Sequence, residues 1–405
     1  MNYQELKIAQ YNNIANYEAE YKRRIDGIGT AKTELHPYVL EHRETVKSKY
    51  PLFSVPLPEI QLLSENITEN SRQITGLAQS LPKVAHNQFY QEQLAKAIIS
   101  TNEIEGVHTT RKEVHDAFES LVKPGKKKVR LQSTLQMYQD ILGSEDIRID
   151  SLKDIRKLYD KLTEGEIERE NLPDGVLFRN CTVQVGRKHT PPKTEHEIYL
   201  QLSSWLNFIN DHQFTFLIRA ALGHFFFENT HPFIDGNGRL GRYIFSRYLS
   251  RKLDKFSGLV ISQKIVENRR KYELAFENAE LAANRSEGTF FVKMMLEYVN
   301  DGQSEIIQVL KEKQNALKTV EKILQADKSF TSEEKYVLHL LYQSFLFTDR
   351  PEEAITDNAI IELAKATEFS GRSIQSALKK LEDDNIIQLV TQRPKRHTIV
   401  TPLVD

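Results

Sequence analysis

Residues 231–242 read His231-Pro232-Phe233-Ile234-Asp235-Gly236-Asn237-Gly238-Arg239-Leu240-Gly241-Arg242. Gly236 and Gly238 carry no Cβ, so the backbone there can take positive φ and approach a ligand closely. Successive N–H groups in such a turn make a concavity for anions. From Arg239 onward the apolar residues Leu240, Ile244, Phe245 and Leu249 recur at helical spacing. The turn therefore feeds a helix N-terminus, whose free N–H groups and dipole favour phosphate. Arg239 and Arg242, three residues apart, share one face of its first turn, and each can fork onto phosphate oxygens. Asp235 is a hard oxygen ligand suited to a Mg²⁺ that substrate phosphates also hold. His231 titrates near neutrality and can take a proton from an attacking hydroxyl. Together these groups suit a metal-bound polyphosphate attacked by a hydroxyl. A bare pair of glycines would read as an ordinary turn before a surface helix. Here His, Asp, Asn and both Arg stand at positions with coherent roles.

The stretch resembles the Fic family signature, HPFx[D/E]GNGRxxR, without a mismatch, and His224, Phe227 and Glu228 resemble the HxxFE lead into it. The resemblance implies a mainly α fold: a Fic helical core with a small β-hairpin flap. It implies transfer of AMP from Mg-ATP, with Mn²⁺ as an alternative ion, to a Ser, Thr or Tyr hydroxyl of a target protein or of the chain itself. By resemblance His231 is the general base and Asp235 the metal ligand. Gly236, Asn237 and Gly238 form the anion hole for the α- and β-phosphates, and Arg239 and Arg242 hold the β- and γ-phosphates. The related Doc toxins carry lysine at the position of Gly238 and act as kinases, so glycine there favours nucleotidyl transfer. UMP or phosphocholine stays open as the transferred group. Asn268, Arg269 and Tyr272 resemble the start of the family's NRxxYY helix, with Glu273 in place of the second tyrosine. Tyr272 is thereby a candidate for the adenine pocket.

Residues 100–106, Ser-Thr-Asn-Glu-Ile-Glu-Gly, close an apolar-periodic stretch from Tyr90 through Leu94, Ala97, Ile98 and Ile99. Gly106 is a helix stop. Glu105 falls on the last turn, where a carboxylate is disfavoured unless a cation meets it, and Thr101 lies one turn earlier on the same face. The stretch resembles the Fic inhibitory helix, [S/T]xxxE[G/N]. In that family the glutamate pairs with the second signature arginine, here Arg242, in place of the γ-phosphate. Some members use the equivalent glutamate to remove AMP.

After Pro173-Asp174-Gly175, the residues Cys181, Val183 and Val185 alternate with polar ones up to Gly186, and Pro191-Pro192 follows. The alternation predicts a strand or hairpin. It resembles the family's flap, with Val183, Gln184 and Val185 docking a target segment by strand pairing and Arg179 bracing the hairpin.

Lys and Arg total 55 against 56 Asp and Glu, a net charge of −1, which argues against a polyanion-coating protein. With the single cysteine Cys181 no internal disulfide can form, so a reducing cytoplasm is expected. The first residues lack a signal pattern and no apolar run reaches membrane length; Arg219 breaks the longest, 214–227. Residues 1–110 read as an N-terminal helical region containing the inhibitory helix (about 90–106), with helices expected over roughly 2–50. Residues 111–300 read as the Fic catalytic core, 301–330 as a helical linker, and 331–405 as a winged-helix domain. Lys126-Lys127-Lys128 reads as a solvated loop. In the last module Thr331 and Glu334 predict a capping box. In a DNA reader Arg372, Gln375, Lys379 and Arg396 would face the major groove. The acids Glu362, Glu368, Glu382, Asp383 and Asp384 weigh against a phosphate-binding face, so protein docking or dimerisation is an equal reading. Two other functional classes compete with transfer: a phosphodiesterase or bifunctional enzyme using Glu105 to remove AMP, and a DNA-binding regulator with a nucleotide-sensing core.

Overall fold

The structure, a computed structural model, describes residues 3–12, 14–122, 129–141, 148–186 and 189–404; Lys126-Lys127-Lys128 lie outside the described residues. Among these the chain is mainly helical, with sixteen α-helices and a few short strands. No helix among them is long and apolar enough to cross a membrane. Two compact units are present. One comprises residues 1–71 and 96–303, the other 72–95 and 304–405. These bounds differ from the four consecutive segments read from the sequence. Residues 301–330, read as a helical linker, fall largely within one 38-residue helix, Thr289–Ala326.

The first unit is built around the helix Phe216–Thr230, buried on nearly all sides, as expected of a helix apolar all round. Glu195–Asn210 and Asn237–Lys252 pack against it. Thr194 and Glu197 form a reciprocal capping box that starts Glu195–Asn210. The two helices approach closely at Gly223, whose carbonyl accepts the Trp205 indole N–H at 2.8 Å. A Cβ on Gly223 would stand 3.2 Å from Ile209.

Helices Leu6–Asn12 and Ile14–Ile25 open the chain, but residues 31–54 are not helical. Ala31–Lys32 pairs antiparallel with Phe53–Ser54, and Tyr38–Glu41 with Glu44–Lys47. His42 and Arg43, both at positive φ (48° and 73°), make the tight turn between the second pair, the primed geometry that matches strand twist. Val39, Thr45 and Val46 favour this pairing over a helix. The hairpin is tied to the central helix: the Asn229 side chain accepts from the Tyr38 N–H and donates to the Tyr38 carbonyl, both at 2.8 Å.

In the second unit, the helices Ser332–Phe345, Asp357–Ala364 and Gly371–Asp383 precede an antiparallel pair, Ile387–Gln392 with Lys395–Ile399. Thr331 and Glu334 form their capping box, and Ser370 caps the third helix. Val337, Leu341, Ile360, Ile374, Leu381 and Ile387 are buried. Arg372, Gln375 and Lys379 are exposed together on the third helix. Arg396 does not join them. It is buried, and its Nε donates to the Ala354 carbonyl at 2.8 Å; residues 396–399 of this strand are all covered.

Candidate active site

The central helix ends at His231, whose left-handed backbone (φ 48°, ψ 65°) redirects the chain into the Pro232–Gly236 loop. Phe233 anchors this loop, stacked on Tyr159 with centroids 3.7 Å apart. Asn237 closes it: its side chain accepts from the Phe233 N–H and donates to the Phe233 carbonyl, both at 2.8 Å. The Asn237 amide is thus committed to shaping the loop, and only its backbone N–H remains for an anion. Gly236 (φ 82°) is the N-cap of the helix Asn237–Lys252. The first-turn N–H groups of Asn237, Gly238 and Arg239 have no intrahelical acceptors. Asp235 lies beside them and accepts the Gly236 N–H.

Arg179, fully buried, holds the Pro232–Gly236 loop. Its Nε donates to the His231 carbonyl at 2.7 Å, Nη1 to the Cys181 carbonyl at 2.7 Å, and its backbone N–H to the Pro232 carbonyl at 3.0 Å. Burial pushes its guanidinium down to about 10. Burial, reinforced by the nearby Arg179 charge, pushes the His231 imidazole down to about 3. The ring therefore does not titrate near neutrality as its residue type suggests: it is neutral at pH 7, with a lone pair to accept a proton.

The helix Lys83–Ile104 starts earlier than Tyr90 and ends in a Schellman motif: Val107 N–H to the Asn102 carbonyl (2.9 Å) and Gly106 N–H to the Glu103 carbonyl (3.0 Å), with Gly106 at φ 73°. This stop projects Glu105 toward the signature helix. Arg242 Nη2 donates to Glu105 Oε1 at 2.7 Å and to the Thr101 carbonyl at 3.0 Å, while Nε donates to Thr101 Oγ1 at 2.9 Å. The Glu105 carboxylate also lies over Gly238, where any Cβ would collide with it. Burial pushes this carboxyl up, but Arg242, then Arg239 and His231, hold it below its ordinary value. An ionised carboxylate thus rests on a helix N-terminus against a buried arginine, surroundings that also suit a phosphate.

Residues 149–249 match the Fic/DOC family. Residues 149–249 form a Fic/DOC-family domain. Curated relatives named protein adenylyltransferase Fic, from Drosophila grimshawi and Drosophila mojavensis, are each 32% identical over 102 residues, 25% of this chain and 20% of theirs. The chain thus spans about a fifth of the length of the curated relatives it matches. A Fic family protein from Desulfovibrio desulfuricans G20 superposes with a TM-score of 0.53 at 17% identity, covering 85% of this chain and 96% of that one. That likeness concerns the fold.

Several features of the Fic domain were not legible in its motifs. Arg239 is paired: Nη1 meets Glu166 Oε2 at 2.9 Å, with both side chains 5% exposed. Burial raises the Glu166 carboxyl despite this arginine. Glu166 lies in the loop after the helix Leu152–Leu162, where no spacing signals it. Glu228 of the lead motif packs its carboxyl against Gly241, and burial raises it to about 8. His224 and Tyr272 are bonded to each other, Nε2 to Oη at 2.7 Å. Tyr272, expected beside the nucleotide base, is a core residue packed against Phe276 with centroids 5.0 Å apart. Phe276 stands one turn further along the same helix, Arg269–Ala279, whereas the contact with Phe291 of the helix Thr289–Ala326 was invisible to local pattern.

The expected flap is not a regular hairpin among the described residues. Val185 and His189 form an isolated antiparallel bridge, and Cys181–Gln184 join no ladder. The alternation survives: Cys181, Val183 and Val185 are half-buried, and Thr182 and Gln184 exposed. An unpartnered two-stranded segment is marginal in water. The turn before it is held by Glu195, which accepts the N–H groups of Val176, Leu177 and Phe178 at 2.9, 2.6 and 2.9 Å.

Proposed function

We propose that this chain transfers AMP from Mg-ATP to a hydroxyl of a protein substrate and that Glu105 holds it in check. The observation that carries the reading is the Glu105 carboxylate, paired with Arg242 at 2.7 Å at the N-terminus of the signature helix. An acid from another helix occupies a site made for an anion. The names of the Drosophila relatives support the same chemistry.

In this reading the N–H groups of Asn237, Gly238 and Arg239 bind the α- and β-phosphates, and the two arginines bind those beyond. The geometry fits a divalent ion only as a partner of substrate: no cluster of three acidic, His or Cys ligands exists among the described residues, and Asp235 alone lies at the cradle. When bound, Mg²⁺ would neutralise the polyphosphate and orient it. His231 takes the proton of the incoming hydroxyl, whose oxygen bonds to the α-phosphorus as the bond to the β-phosphate oxygen breaks and pyrophosphate leaves. Arg179 fixes the height of His231 by holding its carbonyl. Val183, Gln184 and Val185, the alternating segment, would pair with a target segment strand to strand. AMP removal is supported by one feature: Glu105 is ionised and near His231, so it could orient water once displaced from Arg242. A DNA-reading role is weakened by the inward turn of Arg396.

The test uses α-phosphate-labelled ATP, Mg²⁺ and cell lysate with the wild type, Glu105→Gly, and Glu105→Gly/His231→Ala. Label on protein only with Glu105→Gly is the expected result. Label in no lane overturns the transferase reading. Loss of AMP from a pre-modified protein by the wild type, abolished in Glu105→Gly, favours the phosphodiesterase.

A further inference from the structure

Arg219 sits on the central helix Phe216–Thr230 and is only 5% exposed. It has no acidic partner within 4 Å among the described residues. Its contacts are long: Nη1 lies 3.5 Å from the Ile209 carbonyl and 3.4 Å from His212 Nδ1, and its guanidinium is 5.8 Å from the Tyr248 ring centroid. Its Nε and the Tyr248 hydroxyl are buried without a well-formed hydrogen bond, and the two side chains interact with each other. A buried charge in this condition is costly unless something pairs with it.

Both residues line a cavity of about 280 Å³. It lies between Glu195–Asn210, the central helix and the signature helix. Its apolar walls are Trp205, Ile209, Phe227 and Phe245, and no acidic residue lines it among the described residues. The Trp205 indole N–H is already satisfied by Gly223, so the aromatic wall asks nothing polar of an occupant. None of His231, Asp235, Gly236, Asn237, Gly238, Arg239 or Arg242 lines the cavity.

We propose that this cavity is a binding site for a small aromatic monocarboxylic acid, its ring between Trp205, Phe227 and Phe245 and its carboxylate forked onto Arg219 and Tyr248. A planar guanidinium matches a carboxylate by two parallel hydrogen bonds. Arg148, Arg247, Arg251 and Lys252 also line the cavity, so its surroundings as a whole favour an anion. The carboxylate is placed at Arg219 and Tyr248 because their Nε and hydroxyl are the buried atoms there that lack a well-formed hydrogen bond. The volume, at the low end for ligand pockets, suits one or two fused rings. The site stands apart from the transfer reaction and does not depend on it.

The probe is 1-naphthoate, with the neutral 1-naphthamide as its isostere, titrated calorimetrically into the full chain. The acid should bind at least about tenfold tighter than the amide, the effect of one charge-assisted contact. Arg219→Met should remove that preference without lowering the melting temperature, since it deletes an unpaired buried charge. Ile244→Phe, which narrows the cavity while leaving Arg219 in place, should weaken acid and amide alike. No heat with the acid at millimolar concentration, equal affinity for acid and amide, or an acid affinity unchanged in Arg219→Met would each overturn the proposal.

Discussion

Glu105→Gly perturbs one contact whose size can be worked out. Arg242 is 2% exposed and the Glu105 side chain 25%, and their 2.7 Å bond is charge-assisted. Breaking a fully buried pair costs about 3–5 kcal/mol, but Glu105 is partly solvated. Arg242 also keeps its two bonds to Thr101, at 2.9 and 3.0 Å. The smaller figure for a hydrogen bond to a charged group, about 1.5–3 kcal/mol, is therefore the appropriate one. ATP must displace Glu105 to bring its terminal phosphate to Arg242, so the wild type loses that amount of binding or of productive pose. Removing the carboxylate should raise the rate of label transfer at sub-saturating ATP by roughly 10- to 150-fold. Glu105→Gln, which keeps the shape and loses the charge, should fall between. The assay is the initial rate of protein labelling from α-labelled ATP, with ATP affinity measured alongside. A rate within twofold of the wild type, at unchanged ATP affinity, would refute the assignment of Glu105 as the brake.

Three further outcomes are expected. In the Glu105→Gly background His231→Ala should lower transfer by about 10²–10⁴, the contribution of a positioned base, while ATP binding measured by calorimetry stays the same; undiminished transfer would remove His231 from the chemistry. Glu166→Gln strips the buried partner from Arg239, costing about 3 kcal/mol at the low end and lowering the melting temperature by roughly 3–6 °C for a unit of this size. A non-hydrolysable ATP analogue should recover part of that loss, and an unshifted melting curve would show that the pair carries no stability. Glu228, raised to about 8 by burial, binds a proton in the folded state that the unfolded chain releases near pH 4.5. Its contribution is present below that pH and lost as pH rises through 8. The buried His224, pushed down to about 3, acts in the opposite sense, but only below its unfolded value near 6.5. Between pH 6.5 and 9 the Glu228 slope therefore stands free of that of His224. Urea midpoints should fall over that range in the wild type and much less in Glu228→Gln; parallel curves would contradict the assignment.

The signature was readable because its residues are neighbours in sequence and their roles follow from residue type: glycines where backbone must approach an anion, arginines one turn apart, a histidine at a helix end. The helix ending at Gly106 was readable for the same reason, since its stop is local. The partners of those residues were not. Glu166 reaches Arg239 from a loop seventy-three positions away, and Glu228 packs on Gly241 across a helix interface. The same holds for the Tyr38–Lys47 hairpin and for the inward turn of Arg396: short segments whose state depends on which neighbour covers them. Asn237 was assigned to the anion hole by its place in the motif; the fold commits its side-chain amide to Phe233 and leaves the backbone N–H for that role. Sequence by itself determined the helical class and the chemical kit. Tertiary structure alone decided which charges meet, because burial and pairing depend on contacts distant in sequence, as at Arg219, left without an acid among the described residues beside an aromatic cavity.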